Sequence, residues 1–330
     1  MKKRVLVAGG GGFIGGHLVQ SILERGDDVV VADIKPLQEW YQLDERAENH
    51  SVNMEEKDIC YKLTEGCDEV YCLACNMGGM GFIENNRSLC MMSVLINTHM
   101  LQAAKDLGVK KYFYSSSACI YPDYRQTDAD VVALKESDAY PAMPENGYGW
   151  EKLFSERLCK NFEEDFSFKS RVFRFHNVYG PYGTWDGGRE KAPAAMCRKV
   201  IECIDSGKME MEIWGDGEQT RSFMYVDDCI TGINRLMDSD CTDPLNLGRS
   251  ELVTINQLLG MVEEIAGVEV KRNYNLDAPQ GVRGRNSDNT IIQEKLGWEP
   301  EIDLRTGMEK TYHWIKEQYD RRKMGETVVQ

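Results

Sequence analysis

Ser117, Tyr148 and Lys152 are residue types that together can move a hydride, and Cys119 stands two positions beyond the serine. Tyr148 and Lys152 lie four apart in Tyr148-Gly149-Trp150-Glu151-Lys152, so on a helix they share one face. A phenol with an ordinary pKa near ~10 is a poor base at neutral pH. A neighbouring ammonium and a cationic nicotinamide both favour its phenolate. Ser117 would hydrogen-bond the hydroxyl being oxidised, and Lys152 would hold the nicotinamide ribose. Cys119 has no part in that step, but a thiolate beside a cation could take a proton from carbon. Oxidising a sugar hydroxyl to a ketone acidifies the adjacent C–H bonds, so a site with both sets of groups could invert a neighbouring stereocentre. Lys191 follows the glycine-rich turn Gly187-Gly188 and precedes a helix, which makes it the candidate second acid/base group. The plainer readings are a small buried thiol for Cys119 and a solvated lysine for Lys191.

A dinucleotide would sit on Val5-Leu6-Val7-Ala8-Gly9-Gly10-Gly11-Gly12-Phe13-Ile14-Gly15, a strand running through glycines into a helix. Gly9, Gly12 and Gly15 let the backbone turn tightly and approach a pyrophosphate, and the following helix N-terminus stabilises its charge. Phe13 and Ile14 open that helix. Asp33 follows at the end of the second strand, where a carboxylate can accept both ribose hydroxyls and repel an added phosphate. NAD is therefore expected over NADP, with Lys35 weakening the exclusion. Asp58 could reach the adenine, or it could be a solvated loop acid.

Alternating apolar runs and helical periods position these residues. Strands are expected at 5–8, 29–32, 70–73, 112–114 and 171–175, with helices at 13–25, 86–107 and 148–162. This alternation predicts an α/β fold: a Rossmann-type doubly wound parallel sheet covered on both faces. Beyond Asn177 the chain becomes turn-rich, then offers a helix at 194–204, a strand at 211–214, a helix at 223–237 and a strand at 244–248. Helices at 254–266, 292–296 and 308–323 follow. The expected organisation is interleaved: residues 1–178 and 223–248 bind NAD, while 179–222 and 249–330 form a smaller α/β substrate domain.

Composition restricts the partners. The 330 residues carry 54 acidic against 39 basic side chains, a formal charge of −15, which disfavours nucleic acid and anionic membranes. Eleven scattered cysteines show no CxxC pair and no metal-ligand spacing, so no metal and a reducing cytoplasm are expected. The first apolar run is too short for a signal peptide, and no run reaches the roughly 20 apolar residues of a membrane helix.

With its glycine turn, Ser117, Tyr148 and Lys152, the chain resembles the extended short-chain dehydrogenase/reductase superfamily. The segments Arg221-Ser222-Phe223, Tyr225 to Asp228 and Val282 to Asp288 extend the likeness. Longer stretches resemble the GDP-mannose 3,5-epimerase family: Ser116 to Pro122, Met77 to Ile83, Arg174 to Pro181, Gly187 to Ala195 and Gly281 to Asn289. That resemblance implies that Cys119 and Lys191 exchange protons at C5 and C3 of a 4-keto sugar made and reduced again with bound NAD. It implies GDP-L-galactose as product, with GDP-L-gulose when only C5 inverts. It places Gly78, Gly79 and Gly81 against the hexose, and Asn177, Lys199, Gln219, Arg221 and Arg283 on the GDP half, Arg283 at the diphosphate. It also implies a homodimer built on the helices at 86–107 and 148–162. His176 reads as a packed strand-end residue.

Two departures from the family pattern stand out. Cys75-Asn76 replaces an Ala-Asp pair, removing a carboxylate near the sugar, and the segment 36–48 with Trp40 and Tyr41 differs. Alternatives are a 4-epimerase, an epimerase of another GDP-sugar such as a heptose or 4-keto sugar, and a non-catalytic nucleotide-sugar or NAD(H) sensor. A 4,6-dehydratase would want an acid where Ala118-Cys119 stands.

Overall fold

Strand residues here send their side chains alternately to two buried faces, and that is why the runs read as continuously apolar. The structure is a computed structural model describing residues 2–144, 146–278 and 280–328; the expected domain limits at 1 and 330 fall outside these. Six strands, β1 (Arg4–Ala8), β2 (Asp28–Asp33), β3 (Glu48–Ser51), β4 (Glu69–Cys72), β5 (Lys111–Ser117) and β6 (Ser170–Phe175), join Leu245–Leu247 in one sheet. Its order is Leu245–Leu247, β6, β5, β4, β1, β2, β3, with every pairing parallel. Val5, Val7, Val29, Phe113 and Phe173 face one core, while Leu6, Ala8, Val30, Val70 and Tyr112 face the other.

The first-half helices are α1 (Phe13–Glu24), α2 (Lys57–Thr64), α3 (Met80–Asn85), α4 (Arg87–Met92), α5 (Val94–Asp106) and α6 (Asn146–Phe166). They are followed by α7 (Ala192–Ser206), α8 (Val226–Asp238), α9 (Ile255–Ala266), α10 (Thr290–Leu296) and α11 (Leu304–Lys323). α1 packs beside α8 on one face of the sheet, and α2, α5 and α6 lie side by side on the other. Around α7, α9 and α11 the first core continues through Val200, Ile201, Leu258, Val262, Met308 and Ile315. Short ladders complete this half: Glu210–Trp214 with Lys271–Asn275, and Thr220–Arg221 between Val253–Thr254 and Gly284–Arg285.

Three expectations need correction. The helix expected at 86–107 is divided at Ser93, a buried residue whose Oγ accepts the Asn76 N–H at 2.8 Å and ties the helix to the loop after β4. The helix expected from 223 starts at Val226, because Phe223–Tyr225 first pairs in parallel with Asn177–Tyr179. Asp227 and Asp228 then occupy the first turn of α8, where carboxylates suit the helix dipole. The strand β3 (Glu-Asn-His-Ser) carries no apolar pattern and was not expected; it forms the sheet edge.

Gly15 lies inside α1, where alanine would ordinarily be favoured by up to about 1 kcal/mol. A Cβ there would stand 2.1 Å from the Gly9 carbonyl oxygen, so the sign reverses. Gly15→Ala is expected to destabilise the fold by about 1–3 kcal/mol, read as a lowered Tm; an unchanged or raised Tm would show that the glycine turn yields.

Candidate active site

At the carboxyl edge of the sheet, β1 and β4 are neighbours whose connections leave in opposite directions, which opens a crevice for a ligand. Gly9 sits there at φ +88, and a Cβ on it would come within 2.7 Å of the Ala74 nitrogen. The Gly12 N–H donates to Gly9 O at 3.1 Å, closing the turn just before Phe13 and Ile14, both half-buried, begin α1. Asp33 ends β2, and its buried Oδ1 accepts the Lys35 N–H at 3.0 Å. Burial pushes this carboxyl above the usual range, while amide donors led by Lys35 oppose the shift. The Trp40 ring covers Gly11 so closely that a Cβ there would stand 2.4 Å from Cε2. A cradle that a side chain on Gly9, Gly11 or Gly15 would fill, beside a buried carboxylate, fits NAD. Asp58 lies exposed in the first turn of α2.

Ser117 is the last residue of β5, and its Oγ accepts the Cys119 N–H at 3.1 Å across a 3-10 turn, Ala118–Ile120. Tyr148 is buried on α6. Burial lifts its phenol well above the ordinary value, charge at Cys75, Cys119 and Glu151 adds to the rise, and a hydrogen bond from Ser117 opposes it. Lys152 Nζ donates to Ser115 O at 3.0 Å and lies 5.6 Å from the Tyr148 ring centroid. Burial would lower this ammonium, but Cys75 and Glu151 outweigh it and the net direction is upward. The same ammonium lies 3.7 Å from Glu151 Oε2, so it sits between a backbone carbonyl and a carboxylate.

Glu151 was missed by sequence reasoning. Its Oε1 accepts from Tyr114 Oη at 3.1 Å and Ser155 Oγ at 2.9 Å beneath the site. The available signal was a carboxylate directly before Lys152 with a serine four residues on.

Cys119 is half-buried, and Arg285 Nη1 donates to its Sγ at 3.5 Å. Lys191 caps α7; burial holds it below the usual lysine value, and Cys119, then Cys75, pull the other way. The structure therefore gathers Ser117, Cys119, Tyr148, Lys152 and Lys191. The Gly79 N–H donates to Arg189 O at 3.0 Å, and a Cβ on Gly79 would lie 2.6 Å from Glu190 O, so the Gly78–Gly79 loop is zipped to the segment leading into Lys191. Gly81 faces Trp214, with 3.7 Å left for a Cβ. Cys75 packs with Tyr148 and Cys119 around Ile83 and Cys90; burial raises its thiol, and Lys152 opposes the rise.

The remaining binding candidates divide. Lys199 Nζ donates to Glu212 O at 3.1 Å, and buried Gln219 Nε2 donates to Trp214 O at 2.9 Å, so both gather on the strand Glu210–Trp214. Arg283 forks onto Asp216 at 2.8 and 3.0 Å in the turn that follows. Asn177 Nδ2 donates to Ser222 O at 3.1 Å. Arg221 stands nearer the thiol than that cluster does: burial lowers it to about 10, with Cys119 the opposing charge. His176 is packed against Asn246 and lowered to about 4, chiefly by burial.

The profile of the NAD dependent epimerase/dehydratase family matches residues 5–248. GDP-mannose 3,5-epimerase 1 of Oryza sativa subsp. japonica is 46% identical over 323 residues, 98% of this chain and 84% of that protein. This chain belongs to the GDP-mannose 3,5-epimerase family. The GDP-mannose 3,5-epimerase of Arabidopsis thaliana is likewise 46% identical, over 97% of this chain and 84% of its own. Among solved structures, the UDP-glucose 4-epimerase of Thermotoga maritima, solved with UDP-glucose, aligns with TM-score 0.86 and 27% identity, covering 98% of this chain and all of that one. Among the described residues no helix is long and apolar enough to cross a membrane.

Gly149 joins the two halves of the site. A Cβ on it would lie 2.2 Å from Cys119 O, so Gly149→Ala must push the thiol-bearing turn away from α6. About 100-fold loss of turnover is expected from a displacement of order 1 Å, with far-UV circular dichroism unchanged. Full turnover would show that this contact does not set the geometry.

Proposed function

We propose that this enzyme converts GDP-D-mannose to GDP-L-galactose, releasing GDP-L-gulose when only C5 inverts. The observation carrying the reading is the convergence of Cys119 and Lys191 on Ser117, Tyr148 and Lys152 in a chain 46% identical to GDP-mannose 3,5-epimerases. NAD, when bound, supplies reversible acceptance of the hydride from C4. Gly9, Gly12, Gly15 and the start of α1 would hold its pyrophosphate, Asp33 its adenosine ribose, and Lys152 its nicotinamide ribose. Ser117 positions the C4 hydroxyl, and Tyr148 takes and later returns the hydroxyl proton.

With C4 a ketone, the C–H bonds at C5 and C3 are acidic. Cys119 draws the proton from one face and Lys191 delivers one to the other. Burial lowers Lys191, which makes its proton easier to give up at neutral pH. Gly78, Gly79 and Gly81 lie against the hexose, while Lys199, Gln219, Arg283, Asn177 and Arg221 take the GDP half. Arg283 would exchange Asp216 for the diphosphate. The interleaved division of the chain into an NAD-binding and a substrate domain belongs to the same proposal.

In D₂O, GDP-mannose is expected to gain deuterium at C3 and C5, read by NMR. Cys119→Ala should slow wash-in and inversion by at least about 100-fold. Inversion at C4 without deuterium would replace this reading with a 4-epimerase, and full-speed inversion in the alanine variant would remove Cys119 from the mechanism.

A homodimer in the cytoplasm is also proposed. Leu89, Met91 and Met92 on α4, with Trp150 and Phe154 on α6, are exposed, and such apolar patches favour a partner. Phe154→Asp is expected to give monomers by light scattering at micromolar concentration; an unchanged mass would place any interface elsewhere.

A further inference from the structure

A carbon-proton base must be charged before it acts, and a free thiol is mostly neutral at physiological pH. The groups facing Cys119 are Arg285, Lys191, Arg221, Tyr148, Cys75 and Cys90. Three of them carry positive charge. Lys191 is the proposed proton donor, and a residue that gives up its proton during turnover is a poor fixed counter-charge. Arg221 directs its fork to backbone carbonyls, Nη1 to Thr220 O at 2.7 Å and Nη2 to Gln280 O at 3.2 Å. Arg285 places Nη1 on the sulfur itself at 3.5 Å, and a guanidinium does not deprotonate in proteins.

Gln126 helps to set the approach of Arg285 to the sulfur. Arg285 Nε donates to Gln126 Oε1 at 2.5 Å, orienting the guanidinium plane. Gln126, 1% exposed, sends Nε2 to Tyr121 O at 3.2 Å and Pro122 O at 3.3 Å, in the stretch directly after the Cys119 turn. Its own carbonyl accepts the Arg283 N–H at 2.9 Å, at the start of the short strand Gly284–Arg285. Gly284 lies against Asp128 O, where a Cβ would be 2.2 Å away, so that strand has no room to recede. Gln126 therefore clamps the turn bearing the thiol to the strand bearing the arginine.

We propose that Arg285, oriented by Gln126, is the positioning residue that holds Cys119 as a thiolate for proton abstraction. This rests on the reading of Cys119 as the base. Arg285 acts through the sulfur, with no bond made or broken at the guanidinium. Arg283, two positions earlier, pairs with Asp216 and belongs to the nucleotide end.

The test follows iodoacetamide labelling of Cys119, resolved from the other cysteines by peptide mass spectrometry, in the full-length chain and its Arg285→Gln and Arg285→Lys variants. Near pH 7, Arg285→Gln is expected to label Cys119 about 10-fold more slowly than the parent, while near pH 10 the two label alike. Arg285→Lys should recover part of the rate. Deuterium wash-in from D₂O should fall in Arg285→Gln by the same factor as labelling, with KM for GDP-mannose little changed. Equal labelling near pH 7 overturns the proposal. So does a raised KM with unchanged labelling, which would make Arg285 a substrate-binding residue, and so does slow labelling persisting near pH 10, which would make its role structural. Cys119→Ala is the separate control: if it keeps full wash-in, the reading of Cys119 fails whatever Arg285 does.

Discussion

The carbonyl of Cys119 rests on Gly149, and no side chain fits between them. That contact joins two units built by different parts of the chain. The end of β5 and the turn after it carry Ser117 and Cys119, and the first two turns of α6 carry Tyr148 and Lys152. In the proposed reading, holding them at backbone distance lets one sugar ring meet both oxidation chemistry and carbon-acid chemistry. The parallel sheet makes this possible, because β5 lies between β4 and β6 and ends where the crevice opens.

Electrostatics then separates the roles. Burial is the largest single influence on Tyr148, Lys152 and Lys191, and what differs is the company each of the three keeps. Tyr148 is raised, chiefly by burial, with Cys75, Cys119 and Glu151 adding to the rise. Lys152 is raised because Cys75 and Glu151 offset its desolvation, so it stays cationic even when almost fully enclosed. Lys191 has no carboxylate prominent among the charges acting on it and is lowered. Two lysines in one pocket are thus tuned in opposite directions, one toward keeping its proton and one toward releasing it.

Much of this was legible in the residues. The β1 run into glycines, the Tyr148–Lys152 spacing and the serine at a strand end each rest on short-range geometry, and the structure brings them together. Ser93 was less legible, because a buried serine that divides a helix looks like any mid-helix serine until Asn76 is beside it. β3 was silent, being a polar edge with no apolar alternation to display. Glu151 could have been suspected from its neighbour. Arg285 stood in a stretch singled out for its resemblance, but its contact with Cys119, 166 positions away, and its orientation by Gln126, in a turn with no motif of its own, could not be read there. Long-range polar contacts leave no periodic trace in a single chain.

Asp33 carries a consequence for anyone wishing to change coenzyme preference. Beyond the ribose discrimination proposed for its carboxylate, Oδ1 accepts the Lys35 amide at the bend by which β2 hands over to the Trp40 segment, whose indole roofs Gly11. Exchanging the acid for an aliphatic side chain would remove an anion and this acceptor together. A redesign toward the phosphorylated coenzyme would therefore have to supply the Lys35 amide with another acceptor as well as remove the charge.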